Sequence, residues 1–368
     1  MVDLHERTRP TGRAGGPDVL GVRARARRNG LLVAGLVALL VLSATVATAI
    51  GAVGVPPGTV AGILAHTGLG APEGSWTPDQ EAIVWSVRAP RVLLALAVGA
   101  GLAVCGAALQ AMTRNLLADP YVLGVNSGAS CGAAAAILFG VGAGLGQYAL
   151  SGSAFVGALA ASLLVFAVAR TAGTVTSVRL LLAGVAVGYA LSAATSFLVF
   201  ASSSAEGARS VMFWLLGSLA LAQWGPPLAV VVAVVLVTCA VLVWWAPGLD
   251  ALAVGDETAR TLGVSPAAFR TRLLVLVALA VGVLVAASGS IGFVGLVVPH
   301  LARRLVGVGH RWVVPVSALL GAVLLLWADV LARLAMQPQE LPIGIVTALV
   351  GAPFLLHLVR TQRSVAAR

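Results

Sequence analysis

Long apolar segments alternate with short polar ones along most of this chain. Ten of them have the length or composition expected of a membrane-spanning helix, which needs about 20 apolar residues. The predicted spans cover residues 30–54, 89–113, 121–142, 149–170, 178–202, 226–246, 270–288, 291–306, 312–332 and 342–360. The eighth is short and contains Pro299. The pattern predicts an all-α integral membrane protein with about ten transmembrane helices.

Two further segments have a helical pattern but are too short to cross a membrane. Residues 211–222 form an amphipathic stretch, predicted to lie as a helix at the outer surface. Residues 249–266 lie in the longest inner linker and have a half-apolar helical pattern. Because Leu252, Val254 and Leu262 would be costly to leave in water, this loop is predicted to dock onto a cytoplasmic protein.

The composition supports the membrane assignment and fixes an orientation. Of the 368 residues, 59% are hydrophobic and only 10% are charged, far below the charge content of a soluble domain. All 23 cations are arginines, and the ten-span order places 19 of them on one side, with Arg88, Arg91, Arg209 and Arg333 on the other. Since cytoplasmic loops collect arginine, both termini are predicted to be cytoplasmic. The positive charge therefore reflects topology in a lipid membrane and does not indicate a nucleic-acid partner.

The chain divides into one large domain and two tails. Residues 1–29, rich in Arg, Gly and Pro, are predicted to be a disordered cytoplasmic tail, residues 30–360 a single transmembrane domain, and residues 361–368 a second cytoplasmic tail. An alternative for the N-terminus is a signal peptide, with Ala47 and Ala49 at a cleavage site. Apolar character that continues to Val55 favours an uncleaved first span.

The residue types exclude several kinds of chemistry. With no lysine in the chain, a phosphate-binding Walker A loop and Schiff-base catalysis are excluded. No cluster of His, Cys or paired carboxylates indicates a catalytic or metal site. Arg88 and Arg91, three residues apart, are interpreted either as interfacial arginines or as a patch for an acidic partner. Asp329 and Arg333, four apart, fit an ion pair better than an ion-coupling site.

Seven segments, taken in order, resemble one family of membrane transporters. They are similar to the signatures of the iron-siderophore, haem and cobalamin permeases, the FecCD-type subunits of type II ABC importers. The resemblance covers residues 80 to 360, and its segments are RAPRVLLALAVGAGLAVCGAALQ, RNLLADPYVLGVNSGA, RLLLAGVAVG, MFWLLGSLA, LAVGDETARTLGV, GSIGFVGLVVPHLARR and ELPIGIVTALVGAPFLLHL.

The resemblance implies a type II permease fold and a set of partners. A ten-span subunit would pair with a second permease, identical or a sister chain, around a translocation path in the cell membrane of a bacterium. Two copies of a cytoplasmic ATP-binding subunit would use ATP and Mg²⁺, and an extracytoplasmic binding protein would deliver the cargo. The chain itself would be no enzyme and bind no cofactor. Iron-siderophore complexes are the favoured cargo, with haem or cobalamin as alternatives.

The resemblance also assigns roles to residues. Arg88, Arg91 and Arg333 match positions that dock acidic residues of the binding protein. Asn115, Leu117, Ser177 and Val178 match the inner gate, although this chain has Leu116 where the family usually has proline. ATPase contact falls on the 249–266 loop, at Leu252, Gly255, Asp256, Glu257, Ala259, Leu262 and Gly263.

Composition alone leaves a different class of transporter open. An ion-coupled secondary carrier would work without an ATPase and would need carboxylates near the middle of the membrane. Such carboxylates are scarce in this sequence, and Asp329 is the main candidate.

Overall fold

The computed structural model describes residues 21–51, 53–170 and 177–366, without the side chains at 122, 177, 359 and 361–366. These residues form α-helices and a few π or 3₁₀ turns, with no strand among them. In chain order the α-helices are α1 (Val22–Ala49), α2 (Pro57–Leu69), α3 (Pro78–Glu81), α4 (Ala89–Thr113), α5 (Val125–Phe139), α6 (Ala149–Ala169), α7 (Ser177–Ala201), α8 (Ala205–Leu215), α9 (Pro226–Trp244), α10 (Ala246–Val254), α11 (Asp256–Thr261), α12 (Pro266–Ser288), α13 (Val294–Val306), α14 (His310–Leu334) and α15 (Ile343–Ala366).

Each of the ten predicted spans contains a helix, which confirms the all-α membrane fold. Seven helical segments of the described chain are long and apolar enough to cross a membrane. The other three spans correspond to α5, α13 and α15, whose apolar parts are shorter. A π-helical turn, Ala82–Arg88, joins α3 to α4, so that this span is a continuous helical segment from Pro78 to Thr113.

The ends of the chain differ in part from the predicted tails. Residues 1–20 of the predicted N-terminal tail lie outside the described residues, whereas α1 begins at Val22, eight residues before the predicted span. Alanine and arginine are strong helix formers, so the arginine-rich stretch continues the helix beyond the apolar segment. At the other end, α15 continues to Ala366, well into the predicted tail 361–368.

The first helix is buried in the bundle mainly at its C-terminal end. Ala47 and Ala49, the residues of the alternative cleavage site, are buried. Their backbone carbonyls accept hydrogen bonds from Arg333 (3.3 Å) and Arg88 (3.0 Å), respectively. The C-terminal end of α1 therefore supplies hydrogen-bond acceptors to two arginines of other helical segments.

Helix α4 is the centre of the fold, and most of its residues are buried. It packs against α9, α12, α13 and α14. Two glycine pairs allow close backbone approach: a Cβ atom on Gly99 would lie 2.2 Å from the Gly321 carbonyl oxygen, and one on Gly106 only 1.9 Å from that of Gly295. Small residues permit such contacts in membrane bundles, so these glycines fix α4 against α14 and α13.

The predicted surface helix at 211–222 has different bounds in the structure. Helix α8 begins after Ser204, whose side chain accepts the Gly207 N–H, and it ends at Leu215. Gly217 has a φ of 77°, which breaks the helix. The backbone at Leu216 and Gly217 then accepts hydrogen bonds from Gly344 (3.0 Å) and Ile343 (3.2 Å). The end of this segment is therefore built into the start of α15.

The chain between α12 and α13 leaves the helical conformation within the bundle. The Tyr121 hydroxyl bonds both backbone groups of Ile291, donating to its carbonyl oxygen and accepting from its N–H, each at 2.9 Å. Phe293 then starts α13 with a φ of 68°. Because irregular backbone at membrane depth needs its polar groups satisfied by protein, Tyr121 is the residue that permits this break.

Candidate functional site

The three predicted docking arginines meet at one end of the bundle, around Asp329. The Arg91 guanidinium bonds the Asp329 carboxylate at 2.9 to 3.2 Å and reaches Glu340 at 2.9 Å. Arg333 Nε lies 3.0 Å from Asp329 Oδ2, which confirms the predicted pair four residues apart. The Asp329 side chain is only 1% exposed, whereas that of Glu340 is 45% exposed.

The other N–H groups of Arg88 and Arg333 donate hydrogen bonds to backbone carbonyls at the C-terminal end of α1. Arg88 donates to the carbonyl oxygens of Thr48 (2.9 Å), Ala49 (3.0 Å) and Val53. Arg333 donates to those of Ile50 (3.1 Å) and Ala47 (3.3 Å). All three arginines are thus largely buried and bonded within the chain. Their docking role stays a prediction, and simple interfacial placement does not describe them either.

The charges of this cluster do not cancel. Arg91 and Arg333 are paired with the carboxylates Asp329 and Glu340, whereas Arg88 contacts only backbone carbonyls, which leaves one net positive charge. Glu340, the more exposed carboxylate, neutralises the side of Arg91 that is closest to solvent. An incoming carboxylate would therefore compete with Glu340 rather than with buried Asp329.

The predicted coupling loop forms two short helices, α10 and α11, joined at Gly255. Leu249 and Leu252 are fully buried, so the prediction that Leu252 faces a partner is wrong. It packs into the bundle because α10 lies against α4 and α14. Ala259 is also fully buried.

An apolar surface for a partner nevertheless remains on this loop. Val254 and Leu262 are 72% and 66% exposed, and Glu257 and Gly263 are exposed beside them. Gly255 and Asp256 are partly exposed. Apolar side chains this open to solvent on an anchored helix pair are typical of a docking surface.

Two acidic residues connect the coupling helices to the bundle. The Asp250 carboxylate accepts the backbone N–H of His310 at 2.9 Å and lies 2.6 Å from its Nδ1, so it caps α14. Asp256 binds Arg270 with two hydrogen bonds of 2.7 and 2.9 Å and lies 3.6 Å from Arg114. Its hydrogen bonds to Arg270 hold the pKa of the Asp256 carboxyl below the usual value. The carboxylate therefore stays charged at physiological pH.

The predicted gate residues lie at the same end of the bundle as the coupling helices. Asn115 Oδ1 accepts the Leu117 N–H at 2.9 Å and so closes the turn after α4, and the Leu117 side chain is exposed. Val178, near the start of α7, is 66% exposed, and the side chain of Ser177 lies outside the described residues. Helix α7 packs against the 3₁₀ turn Pro120–Leu123 that follows the Asn115 turn.

An open cavity of about 500 Å³ lies beside α7. It is bounded by Tyr189 and Ser192 of α7, by Asp119, and by Gly292 and Leu296 at the start of α13. Its wall is mostly apolar, and it adjoins both the break before α13 and the turn that carries the gate residues. Among the described residues, no group of His, Cys, Asp and Glu is arranged to hold a metal ion.

Sequence reasoning missed the partners that are distant along the chain. Arg91 and Asp329 are 238 residues apart, and Arg114 is 142 residues before Asp256. The sequence did contain a signal for the Arg91–Asp329 pair. Once the order of the ten spans is known, an arginine and a carboxylate at the outer ends of two different spans predict an ion pair. The Asp250 cap of α14 left no such signal.

Comparison with known proteins agrees with this geometry. Residues 37–361 match the FecCD transport family. The hemin transport system permease HmuU of Yersinia pestis is 42% identical over 78% of this chain and 87% of its own length. The cobalamin import permease BtuC of Halobacterium salinarum is 43% identical over 77% and 74%. The Fe(3+)-citrate import permease YfmD of Bacillus subtilis is 39% identical over 78% and 85%.

A solved structure extends the likeness to three dimensions. A metal-chelate type ABC transporter in an inward-facing conformation superimposes with a TM-score of 0.78 at 34% identity, over 90% of this chain and 99% of the other. Sequence, helix order and structure thus agree over nearly the whole bundle. The chain belongs to the FecCD transport family and is a multi-pass membrane permease subunit of an ABC importer.

Proposed function

We propose that this permease imports an iron-siderophore complex, driven by ATP that two copies of a separate ATPase hydrolyse with Mg²⁺. The observation that carries the ATPase dependence is the exposed apolar pair Val254 and Leu262 on helices that are otherwise anchored in the bundle. The iron cargo is supported by relatives named for hemin and Fe(3+)-citrate import and by the metal-chelate transporter. Haem and cobalamin are the alternative cargoes, the latter because a relative is named for its import.

Uptake by the reconstituted complex tests this function. The vesicles contain the permease, its ATPase and its binding protein. We expect them to accumulate a radiolabelled ferric siderophore only when ATP is present on the side of the membrane where the ATPase is bound. Haem and cobalamin serve as competing cargoes, and preference for either would replace the siderophore assignment. Uptake by the permease alone, driven by an ion gradient, would instead indicate a secondary carrier.

The orientation in the membrane follows from the distribution of the arginines along the chain. The structure supports it, because arginines predicted to lie on opposite sides are found at opposite ends of the bundle. Arg88, Arg91 and Arg333 lie together at one end, whereas Arg114 and Arg270 lie together around Asp256 at the other. With the arginine-rich end in the cytoplasm, both termini are cytoplasmic. Reporter fusions at Arg368 and near Gly74 are expected on opposite sides of the membrane, and the same side for both would contradict this topology.

The coupling surface makes a direct prediction. In Leu262→Asp, a carboxylate would be buried against the ATPase without a partner, which costs on the order of 1.4 kcal/mol or more and so weakens association at least about tenfold. We expect the variant to fold normally, because this side chain is 66% exposed. Copurification of the ATPase and ATP-dependent uptake are the measurements.

The matched control is Leu69→Asp, at an 87% exposed leucine that ends α2, away from the coupling helices. It makes the same chemical change and is expected to leave ATPase binding intact. If the Leu262 variant also keeps its ATPase and its uptake, α10 and α11 only connect two spans.

At the other end, an acidic binding protein is proposed to dock on the arginine cluster formed by Arg88, Arg91 and Arg333. Reversing Arg91 is a poor test, because it would leave two carboxylates facing each other next to a buried arginine. Glu340→Gln is better, since it removes only the exposed competitor and raises the net positive charge of the cluster.

We expect Glu340→Gln to tighten docking about 1.4- to fivefold, the range of a partly exposed ion pair worth about 0.2 to 1 kcal/mol. The gain should shrink with rising salt, which screens such charges. Glu206→Gln, at an exposed carboxylate of α8, is the control for net charge. Docking that weakens or stays unchanged in Glu340→Gln would contradict a role for this cluster.

The remaining parts of the proposal concern the second permease and the gate. A second copy of the chain, or a sister permease, would close the path on the side of the cavity by α7. Asn115, Leu117, Ser177 and Val178 would form its inner gate, because they end or begin helices beside the coupling elements. With Leu116 in place of proline, this turn is held by the Asn115 side chain and by two backbone hydrogen bonds, from Asn115 N–H to Gln110 and from Ala118 N–H to Asn115.

A further inference from the structure

Asp256 occupies a position that joins three separate parts of the inner end. It is the first residue of α11, the second coupling helix. Its carboxylate binds Arg270 at the start of α12 and lies 3.6 Å from Arg114, the residue that ends α4. One side chain therefore contacts the coupling helix, a membrane-spanning helix and the turn that carries the gate residues.

The two arginines have different environments. Arg270 is 6% exposed and binds Asp256 with both terminal nitrogens, so it fixes the carboxylate in orientation. The Arg114 side chain is 46% exposed and makes a looser contact. The Arg270 pair is thus the anchor, and the Arg114 pair is the contact that can change when α11 moves.

Arg114 is also tied to the gate turn through its backbone. It ends α4 in the left-handed conformation, with a φ of 54°, which is unusual for a residue other than glycine. The next residue, Asn115, holds the Leu117 N–H. A displacement of the Arg114 side chain therefore acts on the start of a short turn, which is otherwise held by two backbone hydrogen bonds at Asn115.

A second contact supports the same connection. Gly255, between α10 and α11, has a φ of 152°, and a Cβ atom built on it would lie 3.7 Å from Arg114 Nη1. The guanidinium therefore lies over the backbone of the coupling segment as well as beside Asp256. By contrast, Asp250 and His310 join α10 to α14 away from this turn.

We infer that Asp256 and Arg114 form a positioning pair for transport, which passes an ATPase-driven displacement of α11 to the gate turn at Asn115 and Leu117. The inference rests on the proposed ATPase contact of α11. Neither residue contacts the cargo or the nucleotide in this arrangement. Their role is to make the position of the gate turn depend on the position of the coupling helix.

The test uses the full complex of permease, ATPase and binding protein in membranes. Arg114→Ala removes the pair, Arg114→Lys keeps the charge, and Arg272→Ala removes a charge at an exposed arginine of the neighbouring helix α12. A thiol introduced by Leu117→Cys reports the gate turn through its rate of labelling by a polar maleimide. The same reaction on the chain without this substitution gives the baseline for its three native cysteines.

With the pair intact, we expect nucleotide to change the labelling rate at Leu117→Cys by at least about fivefold, the lower end of typical coupling between sites. Arg114→Ala should reduce this nucleotide response to less than about twofold and should lower the rate of uptake by a similar factor. ATPase copurification and ATP hydrolysis should persist in this variant. Arg114→Lys and Arg272→Ala should retain the response.

A normal nucleotide response and normal uptake in Arg114→Ala would overturn the inference. So would loss of the ATPase from this variant, because Arg114 would then act in assembly. Failure of the proposed function is separately visible, since Leu262→Asp would then keep both its ATPase and its uptake. Arg114→Gln provides a second variant, which keeps a long polar side chain without the charge, and it should reproduce the Arg114→Ala result. A change at Asp256 would also break the bidentate pair with buried Arg270.

Discussion

Gly106→Ala is expected to destabilise this permease strongly. The added methyl group would lie 1.9 Å from the Gly295 carbonyl oxygen and 2.5 Å from its carbonyl carbon. Both are backbone atoms of α13, so no side chain can rotate away. Overpacking a core costs about 1–3 kcal/mol and occasionally more, and a clash between two backbones belongs at the upper end of that range.

The cost extends beyond one contact, because α13 cannot retreat. Gly295 already lies against α4 and the 3₁₀ turn, where a Cβ atom would be 2.7 Å from Pro120 Cδ and 3.0 Å from the Leu102 carbonyl oxygen. Moving α13 away from α4 would also strain the break that Tyr121 stabilises at Ile291. We therefore expect low membrane yield and a thermal unfolding midpoint several degrees below that of the unchanged chain.

Gly35→Ala is the matched control, since it makes the same change within the apolar helix α1. No atom lies within 4 Å of a Cβ built there, and alanine favours helix by about 0.8–1 kcal/mol over glycine. This variant should be unchanged or slightly stabilised. An unaltered midpoint in Gly106→Ala would show that α4 and α13 separate easily, and the account of the bundle centre would be wrong.

The sequence was sufficient to predict the helices, because hydrophobic length alone distinguishes a membrane span. It also predicts which side of the membrane each arginine lies on, since positive charge is sorted by topology, and this assignment stays a prediction. Helix ends were less predictable. Helix α1 extends into the arginine-rich segment and α8 ends early at Gly217, because helix propensity and backbone conformation decide these points rather than hydropathy.

Contacts between distant segments were beyond prediction from one sequence. The helical pattern of residues 249–266 was correct, but its amphipathic face did not reveal that Leu252 packs inward against the bundle. A short helix presents one apolar face to its own protein and another to a partner, and the sequence does not distinguish them. For the same reason Arg91 was identified without the carboxylates that bind it, whereas the pair of Asp329 and Arg333 lies within one helix and was predicted.

Asp329→Asn is expected to destabilise the permease more than any other change in the outer cluster. Asp329 is fully buried and faces two guanidinium groups, at 2.9 Å from Arg91 and 3.0 Å from Arg333. Removing its charge leaves two buried cations close together with only Glu340 for compensation. Breaking a buried ion pair from one side costs on the order of 3–5 kcal/mol.

The measurement is the free energy of unfolding or the thermal midpoint in detergent, compared with Glu340→Gln. Glu340→Gln also removes one negative charge that faces Arg91, but the Glu340 side chain is 45% exposed. This substitution should therefore lower the free energy of unfolding by less than about 1 kcal/mol. A large difference in unfolding free energy between the two variants would show that Asp329 forms a buried structural ion pair, whereas Glu340 is the exposed carboxylate proposed to compete with a docking partner.

The same variant also decides between a structural and an ion-coupling role for Asp329. A proton-coupled site needs a carboxylate that can exist without its cations, whereas this carboxylate is bonded to two guanidinium groups. In a secondary carrier, Asp329→Asn would leave the fold intact and abolish only the dependence of uptake on the ion gradient. We expect the reverse, an unstable protein whose remaining folded fraction still requires ATP for uptake, because Asp329 holds α14 to α4 through its pair with Arg91.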